Sequence, residues 1–326
     1  MKNASANLSK RKLITATWKN RFGLFCLIAS FLCSFTTSAS AQWALRPTSP
    51  AGVNLAGIQV GSQAWGRDAS GKVYEDIGGT FTLIDPANTP QFAHITVGIG
   101  ATPFWGIAEG TGETYNYNGS TFVNVPLPSG ETFDSIGAAG EGVWAVNSTT
   151  GHVFKYHAST NSWEPPPTGQ PTEHFESITA GNFGTGPWAI DNNGVAWLYN
   201  SRTGFFDAVG GLPSGVTAQQ VTVGHGQAWV LSSESSNNVY MYDENPTVEQ
   251  WFHPNPFATP TLSEISESTD ESLWGVSSSG QVYLFNTSTI LFGLTAQPAE
   301  TIFEVKVGTA GVFALSSGTG HVYQYE

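Results

Sequence analysis

The sequence predicts an all-β fold, a β-propeller of about seven four-stranded blades, and three observations carry that expectation. A short stretch with alternating apolar residues recurs seven times along the chain. Its landmark aromatic residues, Trp65, Trp105, Trp144, Trp188, Trp229, Trp274 and Phe313, lie 40, 39, 44, 41, 45 and 39 residues apart. A period near 40 built from short strands is the signature of propeller blades. Finally, 37 glycines and 18 prolines interrupt every stretch that a 3.6-residue apolar pattern would need, so no helix is expected after residue 41.

The third copy, IGAAGEGVWAVNSTTGHVFKY at 136–156, shows the pattern best. An Ile leads into small residues, Val-Trp-Ala-Val follows, a polar turn ends in Gly151, and His-Val-Phe-Lys-Tyr closes the copy. Read at period two, these are three strands joined by tight turns. The same landmarks recur at Ile58/Trp65/Gly71/Tyr74, Ile95/Trp105/Gly112/Tyr115, Ile178/Trp188/Gly194/Trp197, Val221/Trp229/Tyr240, Ile265/Trp274/Gly280/Tyr283 and Val305/Phe313/Gly320/Tyr323. Copy five has Asn237 at the turn Gly, which fits a left-handed residue because Asn tolerates that region.

A fourth strand follows each of the first six copies, around Phe81, Phe122, Trp163, Phe205, Trp251 and Phe292. Copy seven has none before Glu326, and one candidate strand, QWALRP around Trp43, stands unattached at the other end. Pairing the two would complete the last blade and close the ring without a free edge. Six blades would follow instead if the weak seventh copy and Trp43 formed a cap.

The first 41 residues differ in kind. They hold six of the twelve basic side chains and no acid, then an apolar stretch of about 14 residues, then small residues ending in Ala39-Ser40-Ala41. This is the layout of a cleaved secretory leader, too short to span a bilayer. The expected domains are therefore a signal peptide at 1–41 and a single propeller at 42–326, exported to the periplasm or the extracellular space. The exported part keeps six basic against twenty-five acidic side chains, a net charge of −19, which disfavours nucleic acid as a partner. Both cysteines, Cys26 and Cys33, fall in the leader, so the exported part has no thiol for a disulfide, a zinc site or a nucleophile.

The combination Ile-x-Val-Gly, Trp-Gly/Ala-Val and Gly-x-Val-Tyr-x-Tyr resembles the tectonin repeat of tachylectin-like β-propeller lectins. Asp76 at a second-aromatic position, Ser268 at a glycine and Phe313 for Trp depart from it. No copy ends in the Trp-Asp pair of WD40 repeats. The resemblance implies glycan binding outside the cytoplasm through several related sites; an extracellular protein-interaction propeller is the alternative, and a lyase-like seven-bladed enzyme a more distant one.

Within the repeat, the seven Trp/Phe landmarks read as blade core, because a residue at one strand position in every blade fills the space between sheets. The variable turns between second and third strands carry the polar groups that sugars need, with Asn147, Asp191, Asn192, Asn193 and Glu234 as ligand-binding candidates, joined by His174 and Phe257 from connections between blades. Asn, Asp and Ser also favour such turns for backbone reasons alone. The seven histidines form no His-x-His or His-x-x-x-His pair, and no Asp-x-Asp-x-Asp loop occurs. The expectation is a non-enzymatic protein with no metal and no cofactor.

Overall fold

The computed structural model describes residues 42–84, 90–98, 104–140, 142–147, 149–164, 174–181, 186–224, 227–236, 238–242, 251–254, 260–267 and 272–326. Short alternating strands and tight turns give seven antiparallel sheets, each with three consecutive strands and an outer fourth, and they form a seven-bladed propeller. The inner strands are Leu55–Val60, Phe92–Val97, Ser135–Ala139, Phe175–Thr179, Ala218–Val223, Leu262–Glu267 and Ile302–Gly308. Blade 7 is completed by the N-terminal strand Trp43–Arg46, which pairs Trp43 with Tyr325 and Arg46 with Val322. The six-bladed alternative is thereby excluded. One feature had no sequence signal: Thr48–Ser49 continues past blade 7 and pairs in parallel with the outer strand of blade 1, so a single segment straps both blades of the seam.

The core lies between blades. The landmark Trp of one blade meets aromatic rings of the next, as in Trp105–Tyr156 at 4.5 Å, Trp144–Tyr199 at 4.7 Å, Trp188–Tyr242 at 5.0 Å and Trp274–Tyr325 at 4.9 Å. Trp65, Trp105, Trp144, Trp188, Trp229, Trp274 and Phe313 are all buried. Phe313 and Asp76, which depart from the repeat in blades 7 and 1, belong to the same interface; there Phe313 packs on Phe81 instead, at 6.3 Å. Both departures thus record one altered contact.

The turn glycines serve two ends. Gly151 and Gly280 have φ of 72° and 80°, a region that L side chains avoid. Each also abuts the next blade: a Cβ on Gly151 would stand 2.5 Å from the His174 Cα, and one on Gly280 2.2 Å from the Thr301 Cγ2. Five such glycines accept a backbone N–H from the start of the next inner strand, as in Phe92 N to Gly71 O at 2.8 Å. In blade 5, Asn237 lies outside the described residues. Its neighbour Asn238 makes the junction through its side chain, accepting from Leu262 N at 3.1 Å and donating to Leu262 O at 2.8 Å.

Candidate ligand-binding site

The turns between second and third strands open on the same face as the connections between blades, and this turn face holds the sequence candidates. Asn147 and Asp191 are both 2% exposed. Asn147 Oδ1 accepts from Thr149 N and Thr150 N at 2.9 and 3.2 Å. Asp191 Oδ1 accepts from Asn193 N and Val195 N, while its Oδ2 takes the indole N–H of Trp197 at 3.1 Å. These two side chains build their turns, as short polar residues do at chain reversals. Asn192 and Asn193 are exposed at the turn tip, and Asn192 N donates to the carbonyl of half-buried His174 at 2.9 Å. Glu234 is half-buried and accepts the Tyr240 hydroxyl at 2.5 Å. Burial, reinforced by Glu234, raises that phenol above its ordinary range. Phe257 lies outside the described residues.

Two clusters that sequence spacing did not reveal stand out on this face. In blade 3, Glu131 comes from the connection between blades and meets three residues of the following turn. Its Oε2 accepts from Asn147 Nδ2 at 2.7 Å and from Thr150 Oγ1 at 3.4 Å, and its Oε1 lies 3.3 Å from His152 Nδ1. In blade 7, Glu300 meets Ser316, Thr319 and His321, with Oε1 2.9 Å from His321 Nδ1 and Oε2 bonded to the Thr319 hydroxyl. The spacings match: the polar turn residue, the Thr and the His lie 16, 19 and 21 residues after the Glu in both blades. Hydrogen bonds from Thr319, Ser316 and His321 hold the Glu300 carboxyl down at about 2. An ionised carboxylate only accepts, so each imidazole donates from Nδ1 and presents Nε2 outward from a ring about half exposed. His152 and His321, exposed just after the turn glycine of their blades, are thus each paired with a carboxylate from the connection between blades.

The second polar assembly lies in the central channel. Six of the seven inner strands carry a register shift near their start. A bulge of this kind re-aims the side chain that follows it. The residues flanking the repeated Ile or Val satisfy N–H groups along the next blade's inner edge. Ser135 Oγ accepts from Ile178 N, Gln220 Oε1 from Ile265 N, Glu264 Oε2 from Val305 N, and Glu304 Oε2 from Ile58 N, at 2.7–3.1 Å. The first two of these links are made by neutral side chains. Across blades 6, 7 and 1 they are charged: Lys306 pairs with Glu264 and lies 3.4 Å from Glu304, all three mostly buried. Burial, with the like charge of Glu304 added and Lys306 opposing, pushes the Glu264 carboxyl up to about 7. Burial works against the Lys306 ammonium, but the two carboxylates hold it above its ordinary value.

No family model matches the sequence, and no curated protein does. Solved structures match by fold. YCF48 from Cyanidioschyzon merolae aligns with a TM-score of 0.62 at 13% identity, over 88% of this chain and 99% of its own. The Pan2 WD40 domain of Neurospora crassa gives 0.62 at 11%, over 88% and 96%. Prp20p from Saccharomyces cerevisiae, described with its binding to Gsp1p and histones, gives 0.59 at 12%, over 82% and 81%. The likeness is one of fold.

Proposed function

We propose that the protein is a non-catalytic binding propeller, carried out of the cytoplasm by its N-terminal leader, whose ligands are glycans held at the rim of the turn face. The observation that carries this reading is the duplication of the Glu–Thr–His cluster at equal spacing in blades 3 and 7. A carboxylate, a hydroxyl and an oriented imidazole, side by side and partly exposed, offer the alternating acceptors and donors that adjacent sugar hydroxyls need. Two such places on one rigid ring favour a surface that repeats its glycans, where linked weak contacts multiply. The likeness of the repeat to tectonin lectins agrees with it. The buried tryptophans take no part; recognition falls to the polar turns.

The arrangement argues against catalysis by these pairs. In each cluster the threonine hydroxyl donates to the carboxylate rather than to the imidazole, and the Glu300 carboxyl, held down at about 2, is a weak base for activating it. Each pair also lies within one blade rather than across the channel mouth. The test is a glycan array probed at high protein density with the wild type and with His152→Ala/His321→Ala. Selective signal that the double variant loses supports the reading, and background signal for the wild type ends it.

A protein ligand is the second reading, and a separate observation favours it. Leu45, Leu294 and Ile77, in blades 7, 6 and 1, are each more than half exposed around the strapped seam. Among the structural neighbours, Prp20p is described with protein partners. A stoichiometric partner captured from the native source and undisturbed by competing sugars would favour this reading over the first.

A further inference from the structure

The central channel holds a cavity of about 270 Å³ lined by residues of all seven inner strands, including Gln59, Thr96, Thr222, Ser266 and Lys306. At one end the ring narrows, because the inner strands nearly touch: a Cβ on Gly308 would stand 2.6 Å from the Val60 carbonyl oxygen, and one on Gly61 2.7 Å from that of Gly98. The repeated glycine of the Ile-x-Val-Gly motif is what permits this approach. The cavity lies on the axis, separate from the rim clusters.

Its hydroxyls are oriented. Thr96 Oγ1 accepts from Ala138 N at 3.3 Å, Thr222 Oγ1 from Glu267 N at 2.9 Å, and Ser266 Oγ from Val307 N at 3.1 Å. An oxygen that accepts a backbone N–H still has a proton to give. None of these three protons has an acceptor among the described residues, and neither does the Gln59 side-chain amide have a partner there. Three O–H donors and one amide therefore converge on the same space.

Charge decides what can accept them. Glu264, Glu304 and Lys306 together bring one net negative charge when all are ionised, which disfavours an anion. A metal cation would need the place between the two carboxylates, and the Lys306 ammonium already occupies it. The remaining class is neutral and rich in hydroxyl groups. At about 30 Å³ per water the cavity holds about nine waters, a volume that one sugar ring or cyclic polyol can displace. We propose that the channel binds a single neutral monosaccharide or cyclic polyol, with Gln59 making a direct hydrogen bond to it. This site goes beyond the rim reading and does not rest on it.

The experiment is an equilibrium titration of the purified protein with free glucose, galactose, mannose and inositol, repeated on Gln59→Leu and Gln59→Trp. The expected result is saturable one-to-one binding of at least one solute. Gln59→Leu should weaken it roughly five- to tenfold, the worth of one hydrogen bond, at an unchanged melting temperature. Gln59→Trp should abolish it by filling the pocket. His152→Ala/His321→Ala should leave it intact, so that rim and channel fail or survive separately. Absence of saturable binding for all four solutes would overturn the proposal, showing a channel that holds water only. Wild-type affinity in Gln59→Leu, loss of binding in the histidine variant, or competition by calcium or sulfate would each overturn it too.

Discussion

Replacing Lys306 with Met would remove the one cation that two mostly buried carboxylates share. Glu264 and Glu304 each accept a backbone N–H from the next blade, at 2.7 and 3.0 Å, so neither can swing away without breaking the ring of inner-edge contacts. Breaking a buried pair from one side leaves an uncompensated charge and costs about 3–5 kcal/mol, and here two carboxylates would be left together. The loss has a definite pH dependence. A carboxyl raised in the folded state, as Glu264 is to about 7, adds stability below its unfolded value near 4.5, and that contribution disappears as pH rises through the folded value. Without Lys306 the Glu264 carboxyl rises further, so the variant gains more than the wild type when each protein is acidified from pH 7.5 to 5. Glu264→Gln is the milder control: its amide oxygen can still accept from Val305 N while Lys306 keeps Glu304, for a loss of about 1 kcal/mol. Urea unfolding followed by tryptophan fluorescence reads all of this. A Lys306→Met variant as stable as wild type at pH 7.5, or a deficit that widens at pH 5, would refute the reasoning.

Other perturbations separate the remaining claims. Gly280→Ala meets both a positive φ and the next blade, whereas Gly110→Ala meets the φ alone, with nothing near its Cβ. The second should cost about 1–2 kcal/mol and the first clearly more, measured by denaturant midpoints; equal losses would show that the close approach is unimportant. Trp65→Ala should cost about 3–5 kcal/mol. Trp65→Phe should cost well under half of that, because Phe313 fills the equivalent place in blade 7 and the Trp65 indole N–H is buried with no partner to lose. The Glu300 carboxyl should remain ionised to about pH 2 in a carbon-13 NMR titration; a midpoint near 4.5 would mean that the blade 7 cluster does not form in solution.

The frame was legible in the sequence because blade packing repeats. Seven aromatic landmarks at one strand position encode seven related interfaces, and the missing strand of copy seven identified Trp43 as its partner. The channel was not legible, for the opposite reason. Residues preceding the repeated Ile or Val include Ser135, Gln220, Glu264 and Glu304, of three residue types, yet each answers the equivalent backbone N–H of the next inner strand. Only the folded ring, which sets each of them beside the next inner strand, reveals the common task. The rim clusters were hidden by the fold of a turn: Glu131 and His152 are 21 residues apart, and nothing in their local sequence says that a connection between blades returns over the turn of the same blade. Asn147 and Asp191 show the converse, since their positions invited a ligand role while their oxygens are taken up within their own blades, Asn147 Oδ1 and Asp191 Oδ1 by turn backbone and Asp191 Oδ2 by the Trp197 indole. The paired departures at Asp76 and Phe313 became one observation when blade 7 met blade 1.

The glycan reading makes a claim about number. Calorimetric titration with the strongest oligosaccharide from the array, chosen too long to enter the channel, should give two sites per chain for the wild type. His152→Ala and His321→Ala should each leave one site, and the double variant none. Two sites that persist in the double variant, or no binding by the wild type, would contradict it.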